Sequence, residues 1–150
     1  MRSVSLFLLA LFLHLTLLAG QAFAELKEFP YFSIDLPPGW NIYDEGITVA
    51  FIAKDNSATL TVTVEFTSGK YTEGMSAEEL AHAYAREMGG TEPEMEDDDP
   101  NYYSFDFKAP GGIDSEASIV VSGNRFYLIT VTGKHKDMAG MVESVLISIQ

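Results

Sequence analysis

Residues Thr59 to Phe66 read TLTVTVEF, the cleanest alternation in the chain. Leu60, Val62, Val64 and Phe66 fall on one side, and Thr59, Thr61, Thr63 and Glu65 on the other. Side chains of a strand point alternately to opposite faces, so this stretch has one buried and one half-solvated face. That is the pattern of an antiparallel sheet, and the β-branched residues suit its pleated surface.

The neighbours follow the same rhythm. Upstream, Ile47, Val49 and Phe51 alternate between the turns Asp44-Glu45-Gly46 and Asp55-Asn56-Ser57. Trp40 and Ile42 open a further strand. Phe32, Ile34 and Leu36 form another, ended by Pro37-Pro38-Gly39, because proline fixes φ and glycine tolerates positive φ. Downstream, Ser76 and Glu79 have capping-box spacing, and Ala77, Leu80, Ala81, Tyr84 and Met88 share one helical face. Gly89-Gly90 stops that helix. Thr91 to Glu96 reads as a short strand near a sheet edge, since Pro93 has no N–H for a ladder. Tyr103, Phe105 and Phe107 alternate inward, and Ala117, Ile119 and Val121 belong to the following strand. Ser122 to Arg125 is a tight hairpin into Phe126 to Thr132. Met138, Met141, Val142, Val145 and Ile149 have helical spacing, with Asp137 as N-cap. Strands, helix, strands, helix, mostly joined by hairpins, predict an α+β fold with a largely antiparallel sheet.

The first 24 residues differ from the rest. Arg2 precedes an apolar run from Val4 to Ala19, and Ala22-Phe23-Ala24 places small residues at the −3 and −1 positions. This is the layout of a secretory signal peptide cleaved after Ala24. The run is short of the roughly 20 apolar residues of a bilayer span, so no permanent membrane anchor is expected. Residues 25–150 are then one domain, exported to a periplasmic or extracellular space. The chain has no cysteine, which excludes thiolate metal sites, thiol catalysis and disulfides. It carries 22 acidic against 9 basic side chains, a net charge of −13. Such a surface repels nucleic acid and anionic lipid and suits cations or a basic partner.

The sequences YFSIDLPPGWNIY and GITVAF, and the finish GNRFYLITVTG before the terminal MVESVLISIQ, resemble the PsbP-like superfamily, which includes the DcrB-like proteins. Leu36, Pro37, Gly39 and Trp40 carry the sharpest part of the likeness, and SAEELAHAYAREM stands where these proteins carry their first helix. The resemblance spans Phe29 to Gln150. It implies an antiparallel sheet sandwiched by helices. It also implies protein-binding or assembly roles, as in an extrinsic photosystem II subunit, a Ran-binding factor and chaperones for secreted effectors, with no shared reaction. Trp40 reads as a packing residue, and no catalytic residue carries over.

Few residues suggest chemistry. His82 and His135 are the histidines beyond the leader, and both read as surface residues without a nucleophile-elbow serine. No P-loop, dinucleotide fingerprint or HExxH motif is present, and no cofactor is expected. Glu96, Asp97, Asp98 and Asp99 run consecutively into Pro100. Counted from Asp97, an EF-hand loop would place Tyr102 where glycine is required and Lys108 where the bidentate glutamate belongs, so that motif fails. A weaker calcium site using Glu96 to Asp99 is one alternative. Docking of a basic protein partner on Asp97, Asp98 and Asp99 is another, and a solvated turn that protects a sheet edge is the plainest. The leading expectation is an exported, non-enzymatic protein that binds or helps assemble another protein. The remaining alternative is a small-ligand carrier or hydrolase with a pocket between sheet and helix, framed by Tyr84, Met88 and Phe105.

Overall fold

A computed structural model describes residues 24–69 and 72–150. The signal-peptide assignment falls on residues outside this range. The strands are β1 (Glu25–Glu28), β2 (Ser33–Leu36), β3 (Trp40–Asp44), β4 (Thr48–Ala53), β5 (Ala58–Phe66), β6 (Glu94–Met95), β7 (Tyr102–Ala109), β8 (Ile113–Ser122) and β9 (Arg125–Gly133). The helices are α1 (Ala77–Met88), between β5 and β6, and α2 (Met138–Ile149), at the end.

Seven strands form one antiparallel sheet in the order β3-β4-β5-β9-β8-β7-β6. The α+β class and the antiparallel sheet with helices on it are as the alternation predicted. β5 is central. Its Leu60, Val62 and Val64 are buried, while its threonines are half-buried. The sheet is covered unevenly. On one face, α2 packs Met138, Met141, Val145 and Ile149 over Val49, Phe51, Leu60, Val62 and Ile129. On the other, α1 packs Ala77, Leu80 and Ala81 over Tyr103, Ile119 and Phe126, and Ala85 over Phe105 and Ala117. The helices thus cover opposite faces at opposite ends.

One strand departs from expectation. β2 leaves the main sheet and pairs with β1, a strand not foreseen from the sequence. The reason is the last helix. Ser148 Oγ accepts from the Ser33 N–H at 3.0 Å, and Ser144 Oγ accepts from the Asp35 N–H at 3.1 Å. These hydroxyls, one helical turn apart, satisfy the edge of β2 that a third strand would otherwise occupy.

The first helix starts as its sequence predicts. Ser76 Oγ accepts from the Glu79 N–H, and the Glu79 carboxylate accepts from the Ser76 N–H at 2.8 Å. The second does not: Asp137 makes no capping side-chain bond, and its N–H is donated to His135 Nδ1 at 3.3 Å. The two glycines after α1 have separate tasks. Gly89 takes the left-handed conformation at φ 66°, which L-residues adopt at a cost. Gly90 lies so close to β7 that a Cβ would sit 2.6 Å from the Phe105 ring and 2.8 Å from the Asp106 carbonyl oxygen.

Candidate functional site

On the face that α2 packs farther along, Val120 and Tyr102 still belong to the main core, but the end of β7 and β8 beyond them, with β6, is left uncovered. There β7 and β8 turn outward the residues that alternate with their core set: Tyr102, Ser104, Asp106 and Lys108 from β7, and Asp114 and Glu116 from β8. The ladder places Asp106 directly opposite Glu116 and Lys108 directly opposite Asp114. The second pair forms an ion pair. The first is a like-charge pair, which opposes sheet stability.

β6 adds its acids to the same face. Glu94 is opposite Ser104, and the Glu96 N–H is donated to the Tyr102 carbonyl at 2.9 Å. A groove of about 530 Å³ results, lined by Glu92, Glu94, Glu96, Asp106 and Glu116 with Tyr102 and Ser104, and no lysine or arginine lines it. Glu116 shows the consequence. Partial burial, then the Asp106 and Glu96 charges, raise its carboxyl above the usual glutamate range. Burial also pushes the Tyr102 phenol up, with Glu96, Glu116 and Asp97 adding to the effect and a bond to Ser118 opposing it.

The acidic turn stands at the lip of this groove. Asp97 and Asp98 take φ 53° and 55°, and the Asp99 N–H is donated to the Glu96 carbonyl at 2.9 Å, a primed β-turn of the kind that connects hairpin strands. Aspartate tolerates that conformation. Asp99 Oδ1 accepts from the Asn101 N–H at 2.9 Å and from Asn101 Nδ2 at 3.2 Å. Ser104 Oγ donates to Glu96 Oε1. Asp97 and Asp98 are exposed at the tip. The four candidate ligands are therefore spread over a tip, an Asx turn and a groove wall. Among the described residues, no group of three or more His, Asp or Glu side chains is placed to hold a metal ion.

Tyr84 and Met88 line neither of the two hollows at this end of the sheet, and Phe105 touches only the acidic groove. They pack with Ala85, Ala117 and Leu128, because the close approach at Gly90 brings α1 down onto β7. An adjoining cleft of about 540 Å³ lies beyond the end of α1 and shares Thr91, Asp106 and Glu116 with the groove; Gly89, Gly90, Phe107, Lys108, Asp114, Ser115, Val131 and Gly133 complete its lining.

The histidines are tied to local partners. His82 Nδ1 is 3.5 Å from Glu92. His135 is less exposed than its sequence context predicted, with 21% of its side chain accessible, and its ring lies edge-on to Trp40 at 4.9 Å. Trp40 is a packing residue as expected, 7% exposed and within the main core.

The described strand order and helix placement can be compared with solved structures. The solution structure of cyanobacterial PsbP (CyanoP) from Synechocystis sp. PCC 6803 superposes with a TM-score of 0.58, at 14% identity, over 86% of this chain and 92% of that one. The chain has a PsbP-like fold. A crystal structure from Bacteroides thetaiotaomicron matches with a TM-score of 0.49 at 17% identity, over 85% of this chain and 47% of that one, so this chain spans about half of it. No protein-family model matches, and a search of curated proteins found none similar in sequence. Among the described residues no helix is long and apolar enough to cross a membrane. The PsbP-like fold accounts for the sharpest part of the sequence resemblance: Leu36 and Trp40 are both buried in the main core, on either side of the Pro37-Pro38-Gly39 turn.

The acidic turn was legible in the sequence as a candidate, but the groove behind it was not. Asp106 and Glu116 are ten positions apart with unremarkable neighbours. A signal did exist. The three residues Pro110 to Gly112 separate the paired Ala109 and Ile113, and counting back equally from that turn brings Asp106 to Glu116.

Proposed function

We propose that this chain is an exported, non-enzymatic accessory protein, and that the uncovered acidic end of its sheet binds a basic segment of another protein. One observation carries the reading: Asp106 and Glu116 face each other across adjacent strands in a groove with three further carboxylates and no lysine or arginine in its walls. Such an arrangement costs stability in the free protein and is relieved by a cation from outside. A lysine- or arginine-bearing segment supplies that charge along a length matching the groove. Asp97, Asp98 and Asp99 extend the negative field beyond its lip and favour encounter with a basic surface. Export rests on the leader-like segment before Glu25, and the periplasm or extracellular medium is the proposed location.

The test is affinity purification from an envelope or secreted extract at low salt, with the wild type beside Asp106→Asn/Glu116→Gln. A basic partner retained by the wild type and lost from the double variant supports the proposal. Equal retention by both variants, or no partner above a charge-matched control protein, overturns it.

A further inference from the structure

The structure has three free strand edges among the described residues, and they are defended unequally. β6 is two residues long, preceded by Pro93 and flanked by glutamates. β1 is charged at three of four positions. Short, charged or proline-bearing edges resist pairing with another chain. β3, five residues long, is the longest of the three and carries no charge until Asp44 at its end. From Asn41 onward each of its residues is exposed in part, with Ile42 38% and Tyr43 54% accessible, and Ile47 beside it 57% accessible.

The hydrogen-bond phase of this edge follows from its flanks. The Lys54 N–H is donated to the Gly39 carbonyl at 2.9 Å, and the Glu45 N–H to the Thr48 carbonyl at 2.9 Å. Bonded pairs alternate along an antiparallel ladder, so Gly39, Asn41, Tyr43 and Glu45 bond inward to β4. Trp40, Ile42 and Asp44 therefore turn their N–H and C=O groups outward.

We infer that β3 is a self-association edge, pairing antiparallel with β3 of a second copy of this chain about a two-fold axis at Ile42. That register makes all three outward-facing residues bonded pairs: Ile42 with its own counterpart, and Trp40 with Asp44 of the other copy. Ile42 meets Ile42, covering apolar surface that is otherwise exposed. The charges select this register. Glu45 of the other copy falls opposite Gly39, and Lys54 lies on the far side of Gly39 on the same face. Glycine has no side chain to intervene, so the lysine reaches across it to the glutamate. The two-fold axis repeats this pair. Two seven-stranded sheets become one continuous sheet, leaving the acidic grooves at its outer ends, so this surface is independent of the partner-binding reading. The strand is short and each copy carries a net charge of −13, which makes the dimer weak and concentration-dependent.

The experiment is sedimentation equilibrium over a wide range of concentrations, on the protein as purified from its expressing cells. Four variants accompany it: Ile42→Lys, Glu45→Lys, Lys54→Glu and the swap Glu45→Lys/Lys54→Glu. The wild type should move from monomer towards dimer mass as concentration rises. Ile42→Lys should stay monomeric while keeping the native far-ultraviolet circular dichroism signal. Each single charge reversal should weaken association by about threefold to tenfold, and the swap should restore it. A wild type that is monomeric throughout overturns the inference, as does an Ile42→Lys variant that still dimerises. A charge swap that fails to restore association overturns the Ile42-centred register.

Discussion

The Ser148 hydroxyl accepts the Ser33 N–H at 3.0 Å and lies 3.1 Å from the Ser33 carbonyl oxygen, joining the last helix to the second strand across 115 positions. Ser144 makes the matching contact to the Asp35 N–H. Together they replace a neighbouring strand for β2. Ser144→Ala/Ser148→Ala should lower stability by about 1–2 kcal/mol, one net hydrogen bond per site. Amide exchange at Ser33 and Asp35 should accelerate well before the main sheet opens, and urea melts followed by exchange measurements would register both effects. Unchanged exchange at these two amides would show that the strap is held by packing alone.

Gly89 and Gly90 should fail differently when changed to alanine. Gly89→Ala meets open space but keeps a left-handed backbone, at a cost of roughly 1–2 kcal/mol. Gly90→Ala collides with the Phe105 ring and the Asp106 carbonyl and should cost about 1–3 kcal/mol through displacement of α1. The aromatic near-ultraviolet circular dichroism signal should change for Gly90→Ala and stay native for Gly89→Ala.

The cap of α1 should be pH-dependent. Ser76→Ala removes it and should cost about 1 kcal/mol at neutral pH. Hydrogen bonds from the Ser76 N–H and then its hydroxyl hold the Glu79 carboxyl below the usual range. A depressed carboxyl stabilises the fold above its unfolded value and loses that contribution as pH falls through the folded one. Stability contributed by Glu79 should therefore begin to fall as pH drops through the ordinary glutamate range of about 4.3, and be gone below its depressed folded value. In Glu79→Gln this acid-side decline should be shallower in thermal melts taken across that window.

Glu116 should behave in the opposite sense. Its folded carboxyl titrates above the unfolded one, so its contribution worsens as pH rises from the ordinary glutamate range through the raised value. Glu116→Gln should raise the melting temperature at neutral pH, and the gain should vanish in acid, where both forms are uncharged. A gain that persists in acid would assign the effect to packing rather than charge.

Much of the fold was written locally. Period-two alternation sets which residues of β4, of β5 as far as Val64, and of β7 are buried, because neighbouring side chains must point to opposite faces whatever lies across the sheet. The capping box of α1 and the turns that join the hairpins are likewise decided within a few residues. Those same rules place Pro93 at an edge and Tyr103 and Phe105 in the core.

Other features needed the whole chain. β2 carries a regular strand pattern, yet it belongs to a separate pair because serines more than a hundred positions away take its edge. β5 and β9 pair across a helix and three strands, an adjacency that no local alternation encodes. The same holds for the candidate site. The acids of the turn were visible as a run, but the open groove exists because the main core on that face ends at Val120 and Tyr102, short of β6 and the far end of β7 and β8, while α1 covers the other face. Local sequence determined which way each side chain turns. Which of those faces is covered, and which is left open to a partner, was decided only when distant elements competed for the same sheet.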